Sequence, residues 1–169
     1  MISFYISKSK KITPSTSEVS ISTDKNNYDK GEIINIFVKN GLNKPILYYG
    51  GGNRFWGIEY FNGSDWINNT YEKGSGFQLT KGSIGDDCYI ILYEREYPSE
   101  IKSQDSLWTQ WNQKICPFET EDLAKPRSVR YIERGLYRLI FHYGFEISQD
   151  APFKILNVKT IYSNNFTIK

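Results

Sequence analysis

An alternation of apolar and polar residues with a period of two runs along most of this chain, and it constrains the fold more than any other feature. In IINIFVKN, the apolar residues Ile34, Ile36 and Val38 occupy every second position. EVSIST and RGLYRLIFHY repeat the pattern. Because successive side chains of a β-strand point to opposite faces, this alternation is typical of strands with one buried face. The sequence therefore predicts an all-β protein.

Turn residues separate the alternating stretches. NGSD, for example, places a glycine-containing turn between RFWGIEYF and WINNT, which predicts a β-hairpin. The thirteen Tyr, ten Phe and four Trp of the chain also favour strands. The stretches add up to about seven to nine short strands without a long amphipathic helix. This profile predicts an antiparallel β-sandwich.

The chain has 169 residues, a length that suits one domain. We expect residues 1–17 to form an arm or linker, either a plain arm or the remnant of a signal or membrane anchor. The apolar run in MISFYISKSKK is far shorter than the ~20 residues that span a membrane, and we expect no transmembrane segment. Residues 18–169 would form the sandwich, with one long, polar loop excursion at residues 94–127.

The inward positions of the alternating stretches predict the hydrophobic core. Apolar residues at every second strand position face the same side of a sheet, which is the side that packs against other elements. The predicted core residues are Ile34, Ile36, Val38, Trp56, Ile58, Tyr137, Leu139 and Phe141.

Three tryptophans outside this set are candidates for a binding surface. Trp66, Trp108 and Trp111 flank predicted loops, so we expect them to be exposed. Exposed tryptophans stack on sugar rings or anchor protein interfaces, and the sequence leaves both uses open.

The chain has two cysteines, Cys88 and Cys116. In an exported domain they would form one disulfide, closing a loop of roughly thirty residues and stabilising the fold by about 3 kcal/mol. The alternative is a pair of reduced, buried thiols, as expected in a reducing compartment.

Other residue patterns exclude several chemistries. His142 is the only histidine, and it lies in the outward register of LIFHYGF without a nucleophile motif around it. The glycines at 50–52 lack the spacing of a phosphate-binding loop. Because the net charge is only +2 and the basic residues are scattered, a nucleic-acid partner is not expected. We expect no catalytic residue, no metal and no cofactor.

Several motifs together resemble a known family. Tyr28-x-x-Gly31-Glu32, placed just before the strand that ends at Asn40, is similar to the opening of bacterial and archaeal immunoglobulin-like (Ig-like) domains of secreted proteins and lipoproteins. The resemblance continues through FWGIEYFNGSDW, LWTQWNQ, ERGLYRLIFHY and YSNNFTI. It implies that Tyr137, after Gly135, forms a tyrosine corner, in which the hydroxyl bonds to upstream backbone. LWTQWNQ also resembles a W-x-Q segment of bacterial Ig-like proteinase-inhibitor domains.

The resemblance implies a binding or structural module rather than an enzyme. We expect a protein partner or a cell-surface component, and a location that is extracellular or in the cell envelope. Two alternatives remain open at this point. One is a proteinase-inhibitor-like domain that acts through a loop in residues 94–127, and the other is a carbohydrate-binding sandwich that uses exposed Trp and Tyr side chains.

Overall fold

The fold is taken from a computed structural model that describes residues 17–49, 56–68, 77–79, 87–88, 98–117, 127–128, 130–149 and 154–169. Every regular element in these ranges is a β-strand, so the protein is all-β, as the alternation predicts. The strands are β1 (Val19–Thr23), β2 (Asn27–Tyr28), β3 (Ile34–Asn40), β4 (Ile46–Tyr48), β5 (Gly57–Phe61), β6 (Trp66–Asn68), β7 (Phe77–Leu79), β8 (Asp87–Cys88), β9 (Ser99–Ile101), β10 (Ser106–Trp111), β11 (Lys114–Pro117), β12 (Arg127–Ser128), β13 (Arg130–Tyr131), β14 (Gly135–Tyr143), β15 (Glu146–Ile147), β16 (Ile155–Leu156), β17 (Lys159–Tyr162) and β18 (Phe166–Ile168).

Two sheets dominate the described part of the chain. Sheet A consists of β1, β3 and β10, all antiparallel, with β3 in the middle. Sheet B has the order β2-β18-β14-β5-β6, and β17 also pairs with β14. Its pairs are antiparallel except for the short parallel pair of β2 with β18. Smaller antiparallel sheets join β4 to β9, β15 to β16, β8 to β12, and β11 to both β7 and β13.

Sheets A and B contribute side chains to one hydrophobic core. In β3 the burial alternates along the strand: Ile34, Ile36 and Val38 are buried, whereas Phe37 is exposed. Contact between the two sheets includes aromatic rings, since the ring centroids of Trp56, next to β5, and Trp111, in β10, lie 5.4 Å apart. The structure buries the side chains of Ile34, Ile36, Val38, Trp56, Ile58, Tyr137, Leu139 and Phe141.

Tyr137 makes the hydrogen bond that a tyrosine corner requires. Its hydroxyl donates to the carbonyl oxygen of Glu133, four residues upstream, at 2.7 Å. Burial, followed by the nearby charge of Glu133, raises the pKa of Tyr137 to about 12. The hydroxyl therefore stays a hydrogen-bond donor at neutral pH and fixes the start of β14.

The predicted long loop at residues 94–127 is wrong for the part of it that the structure describes. Residues 98–117 contain β9, β10 and β11, joined by short turns, and β10 is a full member of sheet A. The polar residues that suggested a loop face outward, while Ile101, Thr109 and Trp111 face inward and are buried. The described residues also contain more strands than the seven to nine predicted, because several pairings are only two or three residues long.

A buried glutamine, Gln113, connects three separate segments. Its side-chain carbonyl accepts from the backbone N–H of Gly31 at 2.8 Å. Its amide nitrogen donates to the carbonyls of Asp29 and Glu32, both at 2.8 Å. Its own backbone carbonyl accepts from Ile132 N–H. Gln113 is 0% exposed, so its side chain meets its hydrogen-bonding capacity within the protein rather than with water.

We expect Gln113→Ala to lower the free energy of unfolding by about 2–4 kcal/mol, because the truncation removes the three hydrogen bonds that this buried side chain makes to the backbone of residues 29–32. Urea denaturation followed by circular dichroism measures the change. Gln110→Ala is the matched control, since Gln110 is an exposed glutamine of the same region and its loss should cost less than about 1 kcal/mol. Equal effects of the two substitutions would contradict the role given to Gln113.

Candidate functional site

The face of sheet A that points away from the core carries its side chains in rows. The strands pair in register, so that residues directly opposite one another on β1, β3 and β10 form one row across the sheet. One of the three rows also includes Asp24, the residue directly after β1, which lies opposite Asn35 of β3. The rows are the polar row Ser20–Lys39–Ser106, the aromatic row Ser22–Phe37–Trp108 and the amide row Asp24–Asn35–Gln110.

The aromatic row lies open to solvent. Trp108 is 64% exposed and Phe37 is 42% exposed, and the two residues are direct cross-strand partners. Burying such rings against a partner would remove a large apolar area from water. An adjacent pair of exposed aromatic side chains on the outer face of a sheet is therefore a candidate binding surface.

The amide row is ordered by a chain of hydrogen bonds. Gln110 Nε2 donates to Asn35 Oδ1 at 3.0 Å, and Asn35 Nδ2 donates to Asp24 Oδ2 at 2.7 Å. The hydroxyl of Tyr28 donates to the other carboxylate oxygen of Asp24 at 2.6 Å. The side-chain amides beside the aromatic row are thus held in one orientation.

Asp24 supports this row as a charged acceptor. Partial burial raises the pKa of Asp24, but the hydrogen bonds from Tyr28 and Asn35 lower it by more, so the net pKa lies below its usual value. For Tyr28, burial and then the hydrogen bond to Asp24 raise the pKa to about 12. At neutral pH the carboxylate therefore stays ionised while the phenol stays protonated.

Trp111 does not belong to this surface, and the prediction that it would be exposed is wrong. The side chain is 2% exposed, and its Nε1 donates to the carbonyl of Lys114 at 3.0 Å. The reason is its position three residues after Trp108 in one strand, β10. Residues three apart in a strand point to opposite faces, so when Trp108 faces solvent, Trp111 faces the core.

Trp66 lies in sheet B rather than in sheet A. Its ring is 4.3 Å from the guanidinium carbon of Arg138, and the ring of Tyr162 is 3.9 Å from the same carbon. Arg138 also donates through Nε to Glu59 at 2.6 Å. This cation–π stack orders the rings across β6, β14 and β17. Trp66 and Trp108 therefore do not form a single platform.

The other residues singled out by the sequence are located as follows. Cys88 lies in β8 and Cys116 in β11, but their side chains lie outside what the structure describes, and the disulfide stays a prediction. The glycines at 50–52 lie outside the described residues.

The single histidine, His142, is exposed, and its Nδ1 is 2.9 Å from Thr160 Oγ1. Within the described ranges, no three His, Cys, Asp or Glu side chains group closely enough to hold a metal ion.

Phe37 is the aromatic residue of this surface that the sequence did not single out. Its position between Ile36 and Val38 was a signal, because an aromatic residue at an outward strand position faces solvent unless something covers it. Its neighbour Trp108 is 71 positions away in the chain, and this pairing depends on the register of β3 with β10.

No family model matches the chain, and no curated protein matches it in sequence. Among the residues that the structure describes, no helix is long and apolar enough to cross a membrane.

The two tryptophans of β10 should respond to truncation in opposite ways. We expect Trp111→Ala to lower the free energy of unfolding by about 3–5 kcal/mol, because it opens a cavity in the core. Trp108→Ala should change it by less than about 1 kcal/mol, because this ring is already in solvent. Chemical denaturation of both variants measures the contrast, and a large loss with Trp108→Ala would show that its ring is part of the packed core.

Proposed function

We propose that this protein is a non-enzymatic, Ig-like β-sandwich that is displayed outside the cytoplasm and binds a protein partner through the outer face of sheet A. The all-β architecture, the core shared by sheets A and B and the Tyr137 corner bond support the Ig-like assignment. Such a module acts through surface complementarity and needs no reacting group.

The observation that carries the proposal is the exposed aromatic row. Tryptophan is enriched among the residues that dominate binding energy, and such anchors lie at the centre of an interface with polar residues around them. Phe37 and Trp108 have this arrangement, with the polar row on one side and the amide row on the other. A partner would cover the two rings first and exchange hydrogen bonds with the flanking rows.

Carbohydrate binding is the second candidate, and the amide row favours it. Sugar rings stack on aromatic faces and exchange hydrogen bonds with side-chain amides held beside them. Gln110 and Asn35 are held in this position next to Trp108 and Phe37. A proteinase inhibitor would instead need a rigid exposed loop, and the described residues of 98–117 are mostly strand.

The binding test uses position-specific photo-crosslinking of the full chain. A benzophenone amino acid at Ser106, on the edge of the proposed face, is compared with one at Thr160 in sheet B. We expect cross-links from position 106 to a cell-surface protein of the source organism, and loss of them in Trp108→Ala. The purified partner should then bind Trp108→Ala at least tenfold more weakly, about 1.4 kcal/mol, and bind Trp66→Ala unchanged.

The outcomes separate the candidates. If a glycan array shows binding that depends on Trp108 and Phe37 while no protein is cross-linked, carbohydrate binding replaces protein binding as the proposed function. If a purified partner binds the Trp108→Ala and Phe37→Ala variants as tightly as the wild type, the outer face of sheet A is not the binding surface.

The proposed location outside the cytoplasm has its own test in Cys88 and Cys116. We expect the denatured, unreduced protein to resist alkylation and to gain two labels only after reduction, because exported domains keep such pairs oxidised. Mass spectrometry of the protein isolated under conditions that trap thiols measures this. Free alkylation without reduction would count against an oxidising compartment.

A further inference from the structure

An open cavity of about 400 Å³ is lined by residues other than those of the aromatic row. Four segments of the chain meet there: the start of β1, the turn between β3 and β4, the end of β14, and β17. Its volume falls within the ~300–1,000 Å³ range of small-molecule sites. The lining residues are Ser17, Glu18, Val19, Leu42, Lys44, Tyr143, Phe145, Lys159 and Ile161.

The cavity combines an apolar wall with two ammonium groups. Lys44 Nζ lies 3.7 Å from the centroid of the Phe145 ring, and Lys159 Nζ lies 5.3 Å from the same centroid. Within the described residues, neither lysine forms an ion pair with a carboxylate. Both ammonium groups therefore belong to the lining of one open cavity, and their positive charge favours an anion there.

The wall of the cavity is held in place by backbone and side-chain hydrogen bonds. Asn40, which is buried, donates through Nδ2 to the carbonyl of Lys44 at 2.9 Å and accepts from Leu42 N–H at 3.1 Å. Leu47 and Gly144 exchange two backbone hydrogen bonds of 2.9 Å, which fix the chain just before Phe145. The turn and the strand end that carry the two lysine contacts are therefore preorganised, which lowers the entropic cost of binding.

We propose that this cavity binds a small organic carboxylate with an apolar body. Lys44 and Lys159 bind the carboxylate, while Leu42, Tyr143 and Ile161 contact the apolar part. A single negative charge fits best, because two lysines and one glutamate in the lining give a net charge of +1. A phosphate monoester, with a charge of about −1.5 to −2 at pH 7, would exceed that balance.

The test is a titration of the full-length protein with octanoate, followed by ¹H–¹⁵N NMR. We expect saturable shifts at Leu42, Tyr143 and Ile161, and a Kd that rises with NaCl concentration because the interaction is partly Coulombic. Octylammonium and octanol, which keep the apolar chain but not the negative charge, should bind at least tenfold more weakly.

The variants separate charge from packing. The double variant Lys44→Gln/Lys159→Gln should raise the octanoate Kd at least tenfold, whereas Lys159→Arg, which keeps the charge, should stay within threefold of the wild type. Lys30→Gln is the matched control, because Lys30 is an exposed lysine in the loop between β2 and β3 and does not line the cavity. The NMR spectrum of each variant shows whether it is folded.

Trp108→Ala should leave octanoate binding unchanged, because Trp108 does not line the cavity. The test of this site is therefore independent of the test of the outer face of sheet A. The proposal is overturned if octanol binds as tightly as octanoate, if the double variant keeps the wild-type Kd, or if the shifts lie away from the cavity. Lack of saturable octanoate binding overturns it as well.

Discussion

The side-chain amide of Gln113 is the interaction on which the arrangement of this fold depends most. The amide forms hydrogen bonds with three backbone groups of the segment that leads into β3. The backbone carbonyl of Gln113 accepts a hydrogen bond from Ile132, three residues before β14 begins. β3 is the central strand of sheet A, and β14 is central in sheet B. One buried residue thus fixes the entry points of the middle strands of both sheets. Because the Gln113 side chain is buried, an unpaired amide at this position would be costly.

A second constraint, the two-residue period of the strands, separates the roles of neighbouring residues. In β3, Ile36 and Val38 pack into the core while Phe37 between them lies in the aromatic row. In β10, Thr109 and Trp111 face inward while Trp108 faces outward. The core and the proposed binding face are therefore built from the same two strands. Their geometry is coupled, because any change of register would exchange the two sets of residues.

The sequence predicted the features that depend on local pattern. The all-β class and the inward positions of Ile34, Ile36 and Val38 follow from alternation, and the corner bond of Tyr137 was expected from the resemblance to Ig-like domains. The surface could not be predicted as accurately. Trp108 and Trp111 were both expected at a loop, and only the knowledge that both belong to the uninterrupted strand β10 shows that they must face opposite ways.

Other features depend on contacts between distant parts of the chain. The alignment of Phe37 with Trp108 is set by the pairing of β3 with β10, and local pattern does not determine the pairing partner. The cavity brings together segments near residues 18, 43, 144 and 160, and its paired lysines show no common motif in the sequence. The polar composition of residues 94–106 suggested a loop, but in the described part of this stretch only the turn at 102–105 separates β9 from β10, and the polar strand residues Glu100 and Ser106 lie on solvated faces.

The direct cross-strand arrangement of the three rows also bears on how this protein can diverge. Substitutions at solvent-facing strand positions usually change folding stability by less than about 0.5 kcal/mol, so selection on the fold places little restriction on them. Related sequences can therefore replace Trp108 or Lys39 freely while retaining Ile36 and Val38. In such a lineage the scaffold would persist while the recognised partner changes, and shared ancestry would be visible in the inward residues rather than in the outward ones.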